Sequence, residues 1–169
     1  NTAVGYISLF QTTGANNTAV GAFSLQGNTS GSSNAAFGKD ALNANTTAAN
    51  NTAIGISALR LNTTGTQNTA VGAAALEDNT TSDYNTAVGA FAATDTTGTN
   101  NTAIGRLSLY VNTSGGGNTA VGAEALRRST TASNNVAVGN QSLSNNTTGL
   151  NNVALGTQTL LTNQTGSSN

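Results

Sequence analysis

Few side chains in this chain are able to do chemistry. Its charged residues are Lys39, Arg60, Arg106, Arg127 and Arg128 against Asp40, Glu77, Asp78, Asp83, Asp95 and Glu124, and it has no His or Cys. Without imidazole or thiol, the usual general bases, activated nucleophiles and soft metal ligands are missing. Glu77 and Asp78 are adjacent, with Asp83 close in sequence. That grouping suits a solvated turn better than a weak calcium site. The stretch Gly38-Lys39-Asp40 lacks the upstream Gly and the following Ser or Thr of a phosphate-binding loop. The Ser-Gly-Gly-Gly stretch at 114–117 lacks the Asp of calcium-binding β-roll repeats. The expectation is therefore a protein that is not an enzyme, with no cofactor and no metal.

Composition narrows the class further. Net charge is −1, too small for an electrostatic footprint on nucleic acid. No apolar run approaches the ~20 residues of a membrane-spanning helix. Charged residues make up only 7% and Pro is absent, unlike a typical disordered tail. The lack of Cys excludes a disulfide scaffold and leaves the compartment open.

What must position these residues is a repeat. A block N-x-A-x-G begins at Asn1, Asn17, Asn34, Asn51, Asn68, Asn85, Asn101, Asn118, Asn135 and Asn152, and Asn169 would open the next copy. The spacing is 17 residues eight times and 16 twice. The chain thus reads as one repeat domain, residues 1–169, starting on a repeat boundary as a fragment of a longer fibre would. Numbered 1 to 17, the consensus is N-T-A-V-G-x-x-A-L-x-x-N-T-T-G-x-x. Both short copies read as lacking the Asn before Thr-Thr at position 12 (compare Gln11-Thr12-Thr13 and Asp95-Thr96-Thr97 with Leu61-Asn62-Thr63-Thr64). Position 5 is always glycine: Gly5, Gly21, Gly38, Gly55, Gly72, Gly89, Gly105, Gly122, Gly139 and Gly156. Position 3 is always Ala, position 4 a larger apolar residue, and position 9 Leu in every copy but the sixth, which has Ala93. Ten of the eleven charges fall at positions 6, 7, 10 and 11 and Asp83 falls at 16, so those columns face water and positions 3, 4 and 9 are expected to be buried. Asp40 and Glu124 share a column but stand five copies apart, roughly 24 Å at strand spacing, too far for an acid–base pair.

One copy is too short to build a core, so successive copies must stack. Positions 2 to 4 read as a short β-branched strand, the glycine as a sharp corner, and Asn-Thr-Thr-Gly as a second turn. No Asn-Gly or Asp-Gly dipeptide marks a hairpin, which favours parallel strands. The predicted fold is mainly β: a parallel β-solenoid, or β-roll, of ten 16–17-residue coils, about 45–50 Å long. The Asn column is expected to form a ladder of stacked amides, with the position-13 threonines doing likewise. Positions 5, 8, 9 and 12 are spaced like one face of a helix, so a strand plus a short helix per copy is the alternative. Strand spacing is about half the distance that packed helices need, which favours an irregular or strand-like segment with only the position-9 Leu inward. Position 2 is never charged, so the strand reads as shielded on both faces. A neighbouring copy of the chain would shield the second face, most simply in a homotrimer; a monomer with a bare stripe is the other reading.

The arrays "NTAVG…AL…NTTG" resemble tandem repeats in bacterial surface fibres and phage-type tail fibres. The "NTAVG" and "NVAVG" blocks are also similar to the N-x-V-A-I-G-type repeats in the head of trimeric autotransporter adhesins, a left-handed parallel β-roll wound from three chains. The resemblance covers the whole chain and implies a homotrimeric, extracellular, adhesive or shaft-forming element. This repeat departs from the autotransporter head by being longer, through its A-L-x-x-N-T-T segment. The functional expectation is a rigid stalk of a fibre or adhesin, possessing self-contacts and an unspecified host or environmental surface as partners. A self-assembling filament and a Thr-array surface for ice or polysaccharide are the alternatives. Sequons at Asn28, Asn45, Asn62, Asn79 and Asn146 follow from the repeat itself.

Overall fold

The computed structural model describes all 169 residues. The strands are β1 (Thr2–Val4), β2 (Thr18–Val20), β3 (Ala35–Phe37), β4 (Thr52–Ile54), β5 (Thr69–Val71), β6 (Thr86–Val88), β7 (Asp95–Thr96), β8 (Thr102–Ile104), β9 (Val111–Asn112), β10 (Thr119–Val121), β11 (Val136–Val138) and β12 (Val153–Leu155). Ten of them, all but β7 and β9, form one parallel sheet in chain order, each in register with the next: Thr52 pairs with Thr69, Ala53 with Ala70, Ile54 with Val71. The chain is therefore a parallel β-solenoid, and it contains no helix.

The corner after each strand explains why position 5 admits only glycine. These glycines have φ between 118° and 137°, a region that side chains disfavour. They also meet their counterparts in the next copy: a Cβ on Gly72 would lie 2.5 Å from the carbonyl oxygen of Gly89. Conformation and clearance both exclude a side chain.

Positions 6 to 11 are a chain of turns and not the helix that their spacing allowed. Positions 7 and 9 of every copy are left-handed, with φ between 49° and 62°. Alternating hand prevents helix propagation, and it reproduces the i, i+3, i+4 pattern because each tight turn closes over three residues. Ala58 N–H donates to Gly55 C=O (3.4 Å) and Asn62 N–H to Leu59 C=O (3.2 Å). Other amides bridge copies, as Leu59 N–H does to Ala75 C=O (3.0 Å). A left-handed Leu costs about 1–2 kcal/mol. Burying it is worth about 1.5–3 kcal/mol, which offsets that cost.

Burial corrects the expected columns. Ala19 through Ala154 at position 3 point into the solenoid, joined by position 8 (Ser24, Ala41, Ala58, Ala75) and the position-9 leucines. Position 4 points out: Ile54 is 42% exposed and Leu155 66%. The side chains of a strand alternate, and the small Ala is the one that fits the narrow interior between coil walls.

Two rows of Asn close the structure. Each position-1 side chain donates from Nδ2 to the position-15 carbonyl of its own copy, as Asn51 does to Gly65 O (2.8 Å). Its Oδ1 accepts the backbone N–H of the next copy's Asn, as Asn51 Oδ1 does from Asn68 (2.9 Å). The ladder is thus mainly side chain to backbone; amide-to-amide bonds occur only toward the C-terminal end, for example Asn118 to Asn101 (3.2 Å). The amide-to-amide row lies instead at position 12. There Asn45 donates to Asn28 (2.8 Å), Asn62 to Asn45 (3.2 Å) and Asn79 to Asn62 (3.0 Å). The same Nδ2 groups also reach the position-15 carbonyl, as Asn62 does to Gly65 O (2.9 Å).

This row also corrects the register of the short copies. Thr96 pairs with Asn112, and Thr12 Oγ1 accepts from Asn28 Nδ2 (2.8 Å). Thr12 and Thr96 therefore stand in the Asn column, and the missing residue is position 14 of the outer turn.

Replacing Gly72 by Ala should lower stability by about 3 kcal/mol, because strain and a backbone clash act together. Ser57→Gly, at a left-handed site with φ 58°, should change it by less than about 1 kcal/mol, since relief of strain opposes added chain entropy. Denaturant titration of the two variants checks both values.

Candidate interaction surface

Seven of the eleven charged side chains form ion pairs along the rod. Arg60 pairs with Glu77 (2.7 Å), Lys39 with Asp40 (3.7 Å), and Glu124 with both Arg106 (3.1 Å) and Arg127 (3.6 Å). Asp83 accepts from the N–H and the hydroxyl of Thr66 (2.6 and 2.9 Å). No three Asp or Glu side chains are grouped so as to hold a metal ion. Gln141 donates to Glu124 (3.1 Å), and with Arg127 and Arg106 it holds this carboxyl below its ordinary range. A notch of about 370 Å³ opens where Gly27 and Ala44 leave column 11 without bulk, beside Phe10, Gln11, Gln26 and Asn43. Its polar walls are already engaged, Asn43 donating to Gln26 (3.2 Å) and to Phe23 O (3.0 Å).

What the fold does assemble is a surface. The outward side chains of the ten-stranded sheet are positions 2 and 4. They run as two adjacent rows: Thr, Ala or Val in one, and Val, Ile, Phe or Leu in the other. No residue at positions 1 to 5 is charged in any copy. At strand spacing the stripe is roughly 45 Å by 10 Å, about 450 Å². An apolar patch of about 300–600 Å² is the largest that a typical monomer carries, and such a patch is often functional. Tyr6 and Ile56 at position 6 extend it at its edge, 68% and 62% exposed.

The two threonine arrays differ in their free valence. The turn threonines at position 13 use their hydroxyls inside the chain: Thr29 donates to Thr46 O (2.9 Å), Thr46 to Thr63 O (3.0 Å), and Thr63 to Thr80 O (2.9 Å). The position-2 hydroxyls of Thr18, Thr52, Thr69, Thr86, Thr102 and Thr119 are half-buried and take no part in the chain's hydrogen bonds. On the turns the position-13 hydroxyls are thus occupied, whereas the exposed position-14 hydroxyls of Thr47, Thr64, Thr81, Thr131 and Thr148 are free, as are those of position 2 on the sheet. From Asn17 to Asn152 the position-1 Asn column is buried with its amides engaged inside the chain, and the position-5 Gly column is half-buried, exposed only at Gly5 and Gly156. Position 12 was missed as a functional column, although its Asn recurs at 28, 45, 62, 79, 112, 146 and 163. That recurrence was the available signal.

No protein-family model, curated protein or solved structure matches the chain.

One electrostatic feature has a measurable consequence. The Asp95 carboxyl is pushed above its ordinary range, chiefly by partial burial, then by a hydrogen bond with Asp78 and the charges of Asp78 and Glu77. A raised carboxyl pKa means the native state holds the proton more tightly than the unfolded chain does. The group then destabilises the fold at neutral pH, and the penalty fades as pH falls through the elevated pKa. Asp95→Asn should melt at a higher temperature than the wild type at pH 7 and lose that advantage in acid. Melting curves across pH read both limbs; identical curves at pH 7 contradict the assignment.

Proposed function

We propose that the chain is a rigid shaft segment of an extracellular fibre or adhesin, in which the sheet stripe packs against the same stripe of other copies, three in the arrangement its family resemblance implies. The observation that carries this reading is the stripe itself. It is uncharged, an apolar row beside a row mostly of Thr, and it repeats along the whole sheet. Only a partner with the same interval meets every row alike, and an identical copy has it. The ion pairs that most of the charges form, spread along the rod, also support a spacer. A fibre of this kind gains lateral contact with every added repeat, because the stripe lengthens by one row per copy.

A second reading is favoured by one observation, the row of free position-2 hydroxyls beside methyl-bearing side chains. Such a lattice of alternating hydroxyls and methyls suits ice or crystalline polysaccharide. It requires the stripe to be bare.

Sedimentation equilibrium separates the two. The shaft reading expects a discrete trimer, and a double variant Ile54→Lys, Val88→Lys is expected to sediment as a folded monomer, since both side chains point outward and charge in an apolar contact is costly. A wild-type monomer at high concentration defeats the lateral contact, and open-ended polymers point to a filament. If the monomer inhibits ice recrystallisation at micromolar concentration, the second reading replaces the first.

A further inference from the structure

Departures from the repeat pattern converge on one place. In the core, Ala93 stands at position 9 between Leu76 and Leu109, so the leucine column is interrupted there and nowhere else. In the inner amide row, Thr96 replaces Asn, and the run of bonds from Asn28 to Asn79 stops. Asn79 Oδ1 and Thr96 Oγ1 are both buried and have no partner. In the turn row, Thr63 bonds to the Thr80 carbonyl through its N–H (2.8 Å) and its hydroxyl (2.9 Å). Thr80 makes neither bond to Thr97, whose carbonyl accepts Ser82 Oγ instead (2.6 Å). On the outside, Asp78 and Asp95 face one another next to Glu77, and Glu77 is engaged by Arg60. On its other side the sixth copy is joined to the seventh by the short extended pair β7 and β9.

The eighth copy provides a contrast. Ser129 also interrupts the amide row, and its Oγ is buried without a partner. Yet Leu126 keeps the core column filled, and Thr113 and Thr130 keep the turn row bonded (3.0 Å each). One break is absorbed there; in the sixth copy four coincide.

From this we infer that the boundary between the fifth and sixth copies, residues 79–97, is a compliant joint at which the rod opens locally before it opens elsewhere along its interior. In a linear stack each copy contacts only its neighbours, so a weak boundary is not compensated from a distance. Local opening follows the pattern of lost core contacts and unsatisfied polar groups. A joint of this kind gives a stiff shaft one place to bend or to be cut. The inference concerns the stability of the stack and holds whether or not the stripe carries other copies.

Native-state hydrogen exchange on the whole chain tests it. The amides of Leu76 and Asp78, which bridge the fifth and sixth copies, bond to Ala92 O and Thr94 O (3.0 and 3.1 Å). Their equivalents one boundary earlier, Leu59 and Leu61, bond to Ala75 O and Glu77 O (both 3.0 Å). The first set is expected to exchange at least about tenfold faster than the second. A broad-specificity protease is expected to cut between residues 79 and 97 before any other interior site. Equal protection in the two sets, with no preferred cut, overturns the joint. Two repairs check its cause separately, Ala93→Leu for the core and Asp95→Asn for the carboxylate contact. Slower exchange at Leu76 and Asp78 in either supports the assignment. If both leave a fast-exchanging segment unchanged, the stated cause is wrong.

Discussion

The solenoid rests on one constraint: each copy sits a single strand spacing, about 4.8 Å, above the last. At that rise a side chain at the corner collides with the backbone of the next copy, so position 5 is glycine throughout. The same rise excludes helices, whose axes need about 8–10 Å. The segment between strand and outer turn must therefore run as tight turns of alternating hand. It also fixes which residues point inward. The 22-residue core is built from Ala and Leu alone, because two walls this close leave room for methyl groups and one larger side chain per copy.

So thin a core shifts much of the structural specification onto polar groups. Within a copy, the position-15 carbonyl accepts two amide donors, one from the Asn before the strand and one from the Asn of the turn, as Gly65 O does from Asn51 and Asn62. Between copies, the first Asn accepts a backbone N–H. Each such buried bond contributes only about 1 kcal/mol net, but leaving one partner unmade costs about 1–3 kcal/mol. A wrong register strands several of these groups at once, so the Asn columns select the register more than they add stability. The unpartnered Asn79, Thr96 and Ser129 atoms bear this out: all three lie where a hydroxyl replaces an amide or next to such a place.

Much of the fold is legible in the columns. The invariant glycine, the parallel pairing and the stacking unit follow from spacing and turn chemistry. Three features were hidden for physical reasons. The apolar residue at position 4 looked like core, since a column under constant apolar demand reads alike whether it faces the interior or the outside of the sheet. Only the chain's path shows that Ala takes the inside. The helical spacing of positions 5, 8, 9 and 12 was real, but consecutive three-residue turns produce it as well as a helix does. Aligning Thr-Thr with Thr-Thr put the deletion at the Asn, whereas Thr12 takes over the hydroxyl-to-amide contact that an Asn would make. Letters alone favour identity; the hydrogen-bond row favours position.

The interior and the stripe obey different tolerances, and this separates folding from function along the molecule. Position 3 is Ala in every copy because the inner gap admits nothing larger, whereas position 4 ranges from Val to Phe37 without altering the register, β3 pairing with β4 as the others pair. Position 4 thus varies in size and keeps its apolar character, although a single chain leaves it half-buried or exposed. An exposed column under no such demand would be expected to collect charges, as positions 6, 7, 10 and 11 do. The proposed contact between copies rests on these two features, the uncharged columns at positions 2 and 4 and the regular rise of the sheet.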